Sequence, residues 1–233
     1  METLLHWARG PLFWTALAFM GLGLLRHLGI LLWEGMRVYR RAGDRALPLG
    51  RVARDTLRWL VPVGRLKNRG LYSATTVVLH AAVLLVPLFL AGHIELWRRG
   101  IGLSWPALPN AIATTLTVAG VVAGAAIVVQ RMVSRESRSL SRFQDYALPM
   151  FIAFVLASGF LVMHPTWNPF GRDGTLLVHA LGADLLLFLV PLTKLSHMVL
   201  LPFTQLVSEL AWHFPPDAGA RVAVALGKEK EPV

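Results

Sequence analysis

Cysteine is absent from this chain of 233 residues, and charged residues make up only 15% of it. Without cysteine, the chain cannot form disulfides, thiolate zinc sites, cysteine-ligated iron–sulfur clusters or thioether-attached haem. An ordinary globular domain has about 25% charged residues and 45–50% apolar residues, whereas this chain is 55% hydrophobic. The composition therefore argues against a disordered chain and against a water-soluble enzyme.

Long apolar stretches account for this composition. Five of them reach the roughly 20 residues that a helix needs to cross a bilayer, and they cover about 11–33, 71–97, 109–129, 146–164 and 176–203. They do not alternate with a period of two, and backbone in lipid must satisfy its own hydrogen bonds, so they are predicted to be helices. The sequence thus predicts a single all-α, multi-pass domain over 1–233 in the cytoplasmic (inner) membrane.

Acidic residues are also scarce, since 13 Asp and Glu stand against 23 Lys and Arg. Seventeen of the basic residues lie in the segment 34–70, the loop between the third and fourth spans, and the tail 204–233. The positive-inside rule predicts that these segments are cytoplasmic and that the N-terminus is outside. Topology therefore explains the net charge of +10 without nucleic acid. An amphipathic helix predicted over 51–61 would face an acidic partner or anionic lipid.

Histidines are the residues most capable of chemistry within the spans, where ionisable side chains are costly and usually functional. His179 and His197 are eighteen residues apart, so they share one face of the fifth helix about 27 Å apart. His80 and His93 are thirteen apart, a rotation of about 220°, with Pro87 between them. The topology places one histidine of each helix at each depth. Two such imidazole pairs could hold two b-type haems, or could hydrogen-bond helices together.

A pattern in the fifth helix resembles a known family. Pro191 lies twelve residues after His179, and Lys194 lies three before His197. This run is similar to the last helix of the gamma subunit of respiratory nitrate reductases. It is also similar to the membrane subunits of heterodisulfide-reductase-like and sulfite-reduction-associated complexes. The second helix contributes two matching dipeptides, Leu79-His80 and Gly92-His93.

The resemblance covers all five spans and implies a dihaem cytochrome b. Such a subunit passes electrons between membrane quinol or quinone and a cytoplasmic iron–sulfur subunit, and the terminal reaction lies on partner subunits. The resemblance implies that one haem is held by the pair His80 and His197 and the other by His93 and His179. Rival interpretations are a haem-free membrane transporter and a structural anchor.

Other polar residues acquire candidate roles in this scheme. Lys194 could bind a haem propionate or could snorkel to the interface. Glu95 is an outer-face carboxylate that could accept a quinol proton, and Gly92 would allow close approach. Asp184 could relay a proton, or could bond Arg26 or a histidine on a neighbouring helix.

Two further histidines are candidates for the haem ligands. His27 in the first span and His164 at the end of the fourth could each replace a ligand of the second helix.

Overall fold

A computed structural model of the chain describes residues 1–41, 50, 54, 57, 70–197, 200–201, 203–204, 207–208 and 217–229. Throughout these residues the secondary structure is helical and no strand occurs. The amphipathic helix predicted over 51–61, most of the segment 34–70 and much of the tail 204–233 lie outside the described residues.

Among the described residues, the helices follow one another in this order along the chain. They are α1 (Glu2–Trp7), a π-helical turn (Ala8–Leu12), α2 (Phe13–Arg41), α3 (Gly70–Phe89), α4 (Ala91–Ile101), α5 (Asn110–Val133), α6 (Arg135–Leu140), α7 (Phe143–Met163), α8 (Arg172–Leu192) and α9 (Ala218–Ala225). Short 3-10 turns cover Pro165–Trp167 and Lys194–Ser196.

Five helices in the described part of the chain are long and apolar enough to cross a membrane. They are the continuous run Glu2–Arg41 and the helices α3, α5, α7 and α8. The prediction of an all-α chain with five membrane-spanning helices is confirmed by their length and composition.

Two helices end well before the predicted spans do. The second span was expected to continue to Trp97, but α3 ends at Phe89, because Leu90 has an extended backbone with φ −74° and ψ 129°. The fifth span was expected to reach Phe203, but α8 ends at Leu192. Each end follows a proline by one or two residues, and proline supplies no N–H to its helix.

Contacts group the chain into two units. The first unit contains residues 1–21 and 63–194, and the second contains 22–62 and 195–233. Within the first unit, α3 packs on α5, α5 on α7, and α7 on α8, while α8 also contacts α1 and the π-helical turn. Within the second unit, Gly35 lies against Val207, where an added Cβ would be 3.0 Å from Cγ2.

Small residues bring α5 close to both of its neighbours. A Cβ added at Gly120 would lie 2.5 Å from the Cβ of Ala82 on α3. On the other side, a Cβ added at Gly124 would lie 3.0 Å from the Cβ of Ala153 on α7. Small residues allow such close contact between membrane helices, which lack a hydrophobic driving force in lipid. This packing fixes α7, against which the site is built.

Candidate functional site

A break between α3 and α4 determines where His93 lies. The extended backbone at Leu90 ends α3, and His93 stands in the first turn of α4. Its N–H donates to the carbonyl oxygen of Leu90 at 2.9 Å. A continuous helix would have rotated His93 by about 220° from His80, and the break removes this constraint. The spacing of thirteen residues is therefore compatible with an inward-facing His93.

The loop before α5 holds this break in place. Carbonyl groups at the end of a helix have no donor within the helix. Here Trp105 Nε1 donates to the carbonyl oxygen of Leu88 at 2.7 Å, and the N–H of Leu108 donates to that of Phe89 at 2.9 Å. These two hydrogen bonds join the end of α3 to the loop that follows α4. His93 therefore lies in a closed segment of the chain rather than on one long helix.

His179 lies on α8 against a small-residue position of α7. A Cβ added at Gly159 would lie 2.8 Å from Cε1 of His179 and 3.2 Å from its Nδ1. The Nδ1 atom is 3.0 Å from the carbonyl oxygen of Val155 and 3.2 Å from Oγ of Ser158. Ser158 donates its own hydroxyl hydrogen to the Val155 carbonyl at 2.8 Å. The ring is therefore held in one orientation by α7.

The imidazole rings of His93 and His179 lie close together, and both belong to the first unit. Their centroids are 6.0 Å apart, and their planes differ by only 11°. If a metal joined two imidazoles in line through bonds of about 2 Å, as in zinc–imidazole bonds, the ring centres would be about 6 Å apart. The separation and the nearly parallel planes are compatible with two imidazoles that share one ion.

The tautomer of both rings suits ligation. A carbonyl oxygen can only accept, so the Nδ1 atom that contacts it must carry the hydrogen. His179 donates in this way to Val155, and His93 makes a longer contact of 3.4 Å with the carbonyl oxygen of Val86. The lone pair of each neutral ring is then on Nε2. Histidines that bind metals usually donate their other N–H in this manner.

The donor set fits iron in a porphyrin better than a metal held by protein alone. Within the part of the chain that the structure describes, no group of three or more His, Cys, Asp or Glu could hold a metal ion. A porphyrin supplies four nitrogen ligands itself and needs only one or two axial ligands from the protein. A b-type haem can take two imidazoles from the protein, and His93 and His179 would supply them.

The second predicted pair is divided between the two units. His80 on α3 belongs to the first unit, where its Nδ1 donates to the carbonyl oxygen of Thr76 at 2.7 Å. His197 directly follows the turn Lys194–Ser196 and belongs to the second unit, as does His27. His80 thus has the tautomer that ligation requires, while its pairing with His197 stays a prediction.

Glu95 is engaged by two arginines of its own helix. Arg98 donates to both carboxylate oxygens at 2.6 Å, and Arg99 donates to Oε1 at 2.6 Å. Hydrogen bonds from Arg98 and then Arg99 lower the pKa of the Glu95 carboxyl to about 2. The carboxylate is therefore a weak base at neutral pH. Gly92 is exposed, and an added Cβ there would meet no atom within 4 Å.

Lys194 forms an ion pair near the other end of the helices. Its Nζ lies 2.6 Å from Oδ2 of Asp145, which also accepts from the backbone N–H of Arg142 at 2.9 Å. Asp145 thereby caps the start of α7 and joins it to the end of α8. The role of Lys194 at a haem propionate stays a prediction.

Asp184 is buried in α8, with an exposed fraction of 3%. Its Oδ2 has no hydrogen-bond partner among the described residues. One turn further along the same face, the ring of Phe188 lies 5.2 Å from that of Phe19, so this face of α8 is directed to the N-terminal run. Arg26, the partner suggested by the sequence, belongs to the other unit.

Sequence reasoning did not identify the part of α7 that holds His179. Val155 contributes a backbone carbonyl, which has no signature in the sequence. The dipeptide Ser158-Gly159 is the one available signal, because a polar residue beside a glycine interrupts an apolar run. This signal could have marked the place where another side chain approaches α7.

Comparison with known proteins finds a relative that is similar in sequence over most of the chain. No protein-family model and no solved structure matches this chain. A curated protein of Nitratidesulfovibrio vulgaris (strain Hildenborough), whose name states no activity, is 33% identical to it over 196 residues. The matched region covers 82% of this chain and 85% of that protein. The chain therefore belongs to the same family as this Nitratidesulfovibrio protein.

Proposed function

We propose that this chain is a membrane cytochrome b subunit with two b haems, each held by two histidines. It transfers electrons between membrane quinol or quinone and an iron–sulfur partner subunit on the cytoplasmic side. His93 and His179 hold one haem, and His80 and His197 hold the other. The chain lies in the cytoplasmic membrane with its N-terminus outside. It is the quinone-reactive part of a larger respiratory oxidoreductase.

The geometry of His93 and His179 is the observation that carries this proposal. Their ring centres are 6.0 Å apart, the planes are nearly parallel, and both Nδ1 atoms contact backbone carbonyls. His179 joins α8 to α7 through Nδ1, and this contact leaves the Nε2 lone pair of the neutral ring for a metal. The resemblance of the fifth helix to nitrate reductase gamma subunits supports the same assignment.

The protein residues around the pair would orient the ligands and tune them. The carbonyl oxygen of Val155 and the hydroxyl of Ser158 accept from Nδ1 of His179, which fixes the ring and raises the basicity of Nε2. The break at Leu90 turns His93 toward α8. A bound haem would supply one-electron transfer, with a potential set by its axial ligands and surroundings.

Basic segments on one side of the predicted topology suit the proposed partner. Seventeen of the 23 basic residues lie in segments predicted to be cytoplasmic. Complementary charge steers the association of electron-transfer partners. The same surface would also bind anionic lipid, and both contacts are compatible within one membrane complex.

The test is a count of haem per chain. The purified wild-type chain, reduced with dithionite, should show a b-type α-band and contain two haems per chain. His179→Ala and His93→Ala should each contain one, whereas His6→Ala, which removes an exposed histidine of α1, should keep two. If the wild-type chain lacks the α-band, the proposal is wrong.

Asp184 favours a second candidate, a haem-free membrane subunit that conducts protons. A carboxyl group with an exposed fraction of 3% and an unpartnered oxygen is expensive in a membrane and usually functional. Under this alternative the histidines would belong to a proton path, and no haem would bind. The same absorption spectrum separates the two candidates.

A further inference from the structure

His164 is a histidine that the proposed haem ligation does not use. It follows the last residue of α7, and its Nδ1 lies 2.9 Å from the carbonyl oxygen of Phe160. Its ring is stacked on the ring of Phe160, with centroids 4.2 Å apart and planes 19° apart. Because the carbonyl can only accept, Nδ1 carries the hydrogen and the lone pair of the neutral ring is on Nε2. Among the described residues, Nε2 has no hydrogen-bond partner.

The position of His164 places it at the same end of the bundle as His93 and His179. Gly159 on α7 meets the ring of His179. His164 is five residues further along, a rise of about 7.5 Å and a rotation of about 140° around α7. His164 therefore lies at the end of α7 that is nearer to His179.

Exposed apolar residues lie near His164 in the sequence. Met163 is 48% exposed, and Trp167 and Phe170 in the connection to α8 are 73% and 78% exposed. The N–H of Trp167 donates to the carbonyl oxygen of His164 at 3.0 Å, which fixes the connection next to the ring. Such a surface suits a ligand with an apolar body that carries a hydroxyl group.

We propose that Nε2 of His164 accepts the proton from a hydroxyl group of quinol bound at this end of α7. The inference rests on the proposed function and names the base of its quinol site. The quinol O–H bond breaks, an N–H bond forms at Nε2, and the ring becomes an imidazolium, which then releases its proton to water. Loss of the second hydroxyl proton to water, and of two electrons that pass singly to the b haems of the proposed function, yields quinone.

His164 is better placed for this role than Glu95, the carboxylate suggested by the sequence. Both oxygens of Glu95 accept hydrogen bonds of 2.6 Å from Arg98, and one accepts a third from Arg99. A quinol hydroxyl would have to displace these bonds. The Nε2 lone pair of His164 needs no such displacement, and histidine is the side chain most often used as a general base.

The test removes the His164 imidazole by substitution and then adds free imidazole to the solution. His164→Ala and His164→Asn are compared with wild type in lipid nanodiscs, with His6→Ala as the matched control. Asn can still donate a hydrogen bond to the Phe160 carbonyl, but it offers no base. We expect both variants to keep the wild-type haem content and to oxidise a short-chain quinol about 10²-fold to 10³-fold more slowly. Added imidazole should restore much of the rate of His164→Ala, but not that of His164→Asn.

Binding of a redox-inactive hydroxyquinoline, measured calorimetrically, gives a readout that does not depend on turnover. Loss of one hydrogen bond should weaken its binding to both variants about tenfold, and His6→Ala should bind it normally. Loss of one haem in His164→Ala would make His164 a ligand and overturn the inference. A wild-type rate of quinol oxidation in the His164 variants would also overturn the inference. So would a slow rate in His164→Ala that imidazole does not restore, if hydroxyquinoline binding is unchanged. Absence of haem from the wild-type chain would refute the proposed function itself.

Discussion

The imidazole of His179 on α8 occupies the space that a side chain at Gly159 on α7 would fill. An added Cβ would lie 2.8 Å from Cε1 and 3.2 Å from Nδ1 of the imidazole. The first distance is too short for a stable contact, and the ring cannot yield freely, because Nδ1 bonds to the Val155 carbonyl. The absence of a side chain at residue 159 therefore fixes the position of His179.

Gly159→Ala should displace the His179 ring. We expect a loss of about 1–3 kcal/mol in the free energy of unfolding, as for other overpacked positions, and affinity for the haem of the His93 and His179 pair about 10-fold to 100-fold lower. Haem content and thermal unfolding would measure both effects. Gly174→Ala on α8, where an added Cβ meets nothing within 4 Å, should change neither quantity for the worse.

Ser158→Ala should change the potential of the same haem and leave it bound. Ser158 donates its hydroxyl hydrogen to Val155 and therefore accepts from Nδ1 of His179. Removal of this acceptor lowers the basicity of the ligand, so the midpoint potential should rise. We expect a rise of less than about 59 mV, a tenfold change in a one-electron equilibrium. A redox titration measures it, and Thr117→Val, a buried hydroxyl on α5, should leave the potential unchanged.

Asp145→Ala should destabilise the chain more than Lys194→Ala does. Asp145 accepts from the backbone N–H of Arg142 at the start of α7 as well as from Lys194. Loss of a helix cap costs about 0.5–2 kcal/mol, whereas a largely exposed ion pair contributes only about 0–1 kcal/mol. Thermal unfolding of the two single variants tests this order. Equal losses would show that the cap contributes nothing measurable.

Asp184→Leu should stabilise the folded chain. The substitution removes a buried carboxyl with an unpartnered oxygen, and an unsatisfied buried group of this kind costs about 1–3 kcal/mol. We therefore expect the free energy of unfolding to rise by about that amount, with the haem content unchanged. Asp173→Leu, at the exposed start of α8, should instead lose about 0.3–1 kcal/mol, because it removes a favourable helix-dipole interaction. Lower stability of Asp184→Leu would indicate that the carboxyl has a partner.

The sequence predicted the candidate site only in part, and the helix break explains why. Periodicity places His179 and His197 on one face of a continuous helix and rotates His93 away from His80. Neither helix is continuous in the structure, since α8 ends at Leu192 and α3 ends at Phe89. Leu90 gives no sign of its extended backbone in the sequence, since proline alone does not show where a helix ends. The hydrogen bonds from Trp105 and Leu108 that hold the break come from residues fifteen or more positions away, and such contacts depend on the folded chain.

By itself, the sequence determined that the chain is helical and has five segments able to cross a membrane. The segments are long and apolar enough to span a bilayer, and backbone in lipid must form its own hydrogen bonds, which leaves few other structures. It also supplied the histidines. Only the tertiary structure decided that His93 and His179 meet with parallel rings. This arrangement requires the break at Leu90, the absence of a side chain at Gly159 and the carbonyl group of Val155. These residues lie on different helices, which are far apart in the sequence. A local pattern can state which residues are available for a site, while the packing of the helices determines which of them come together.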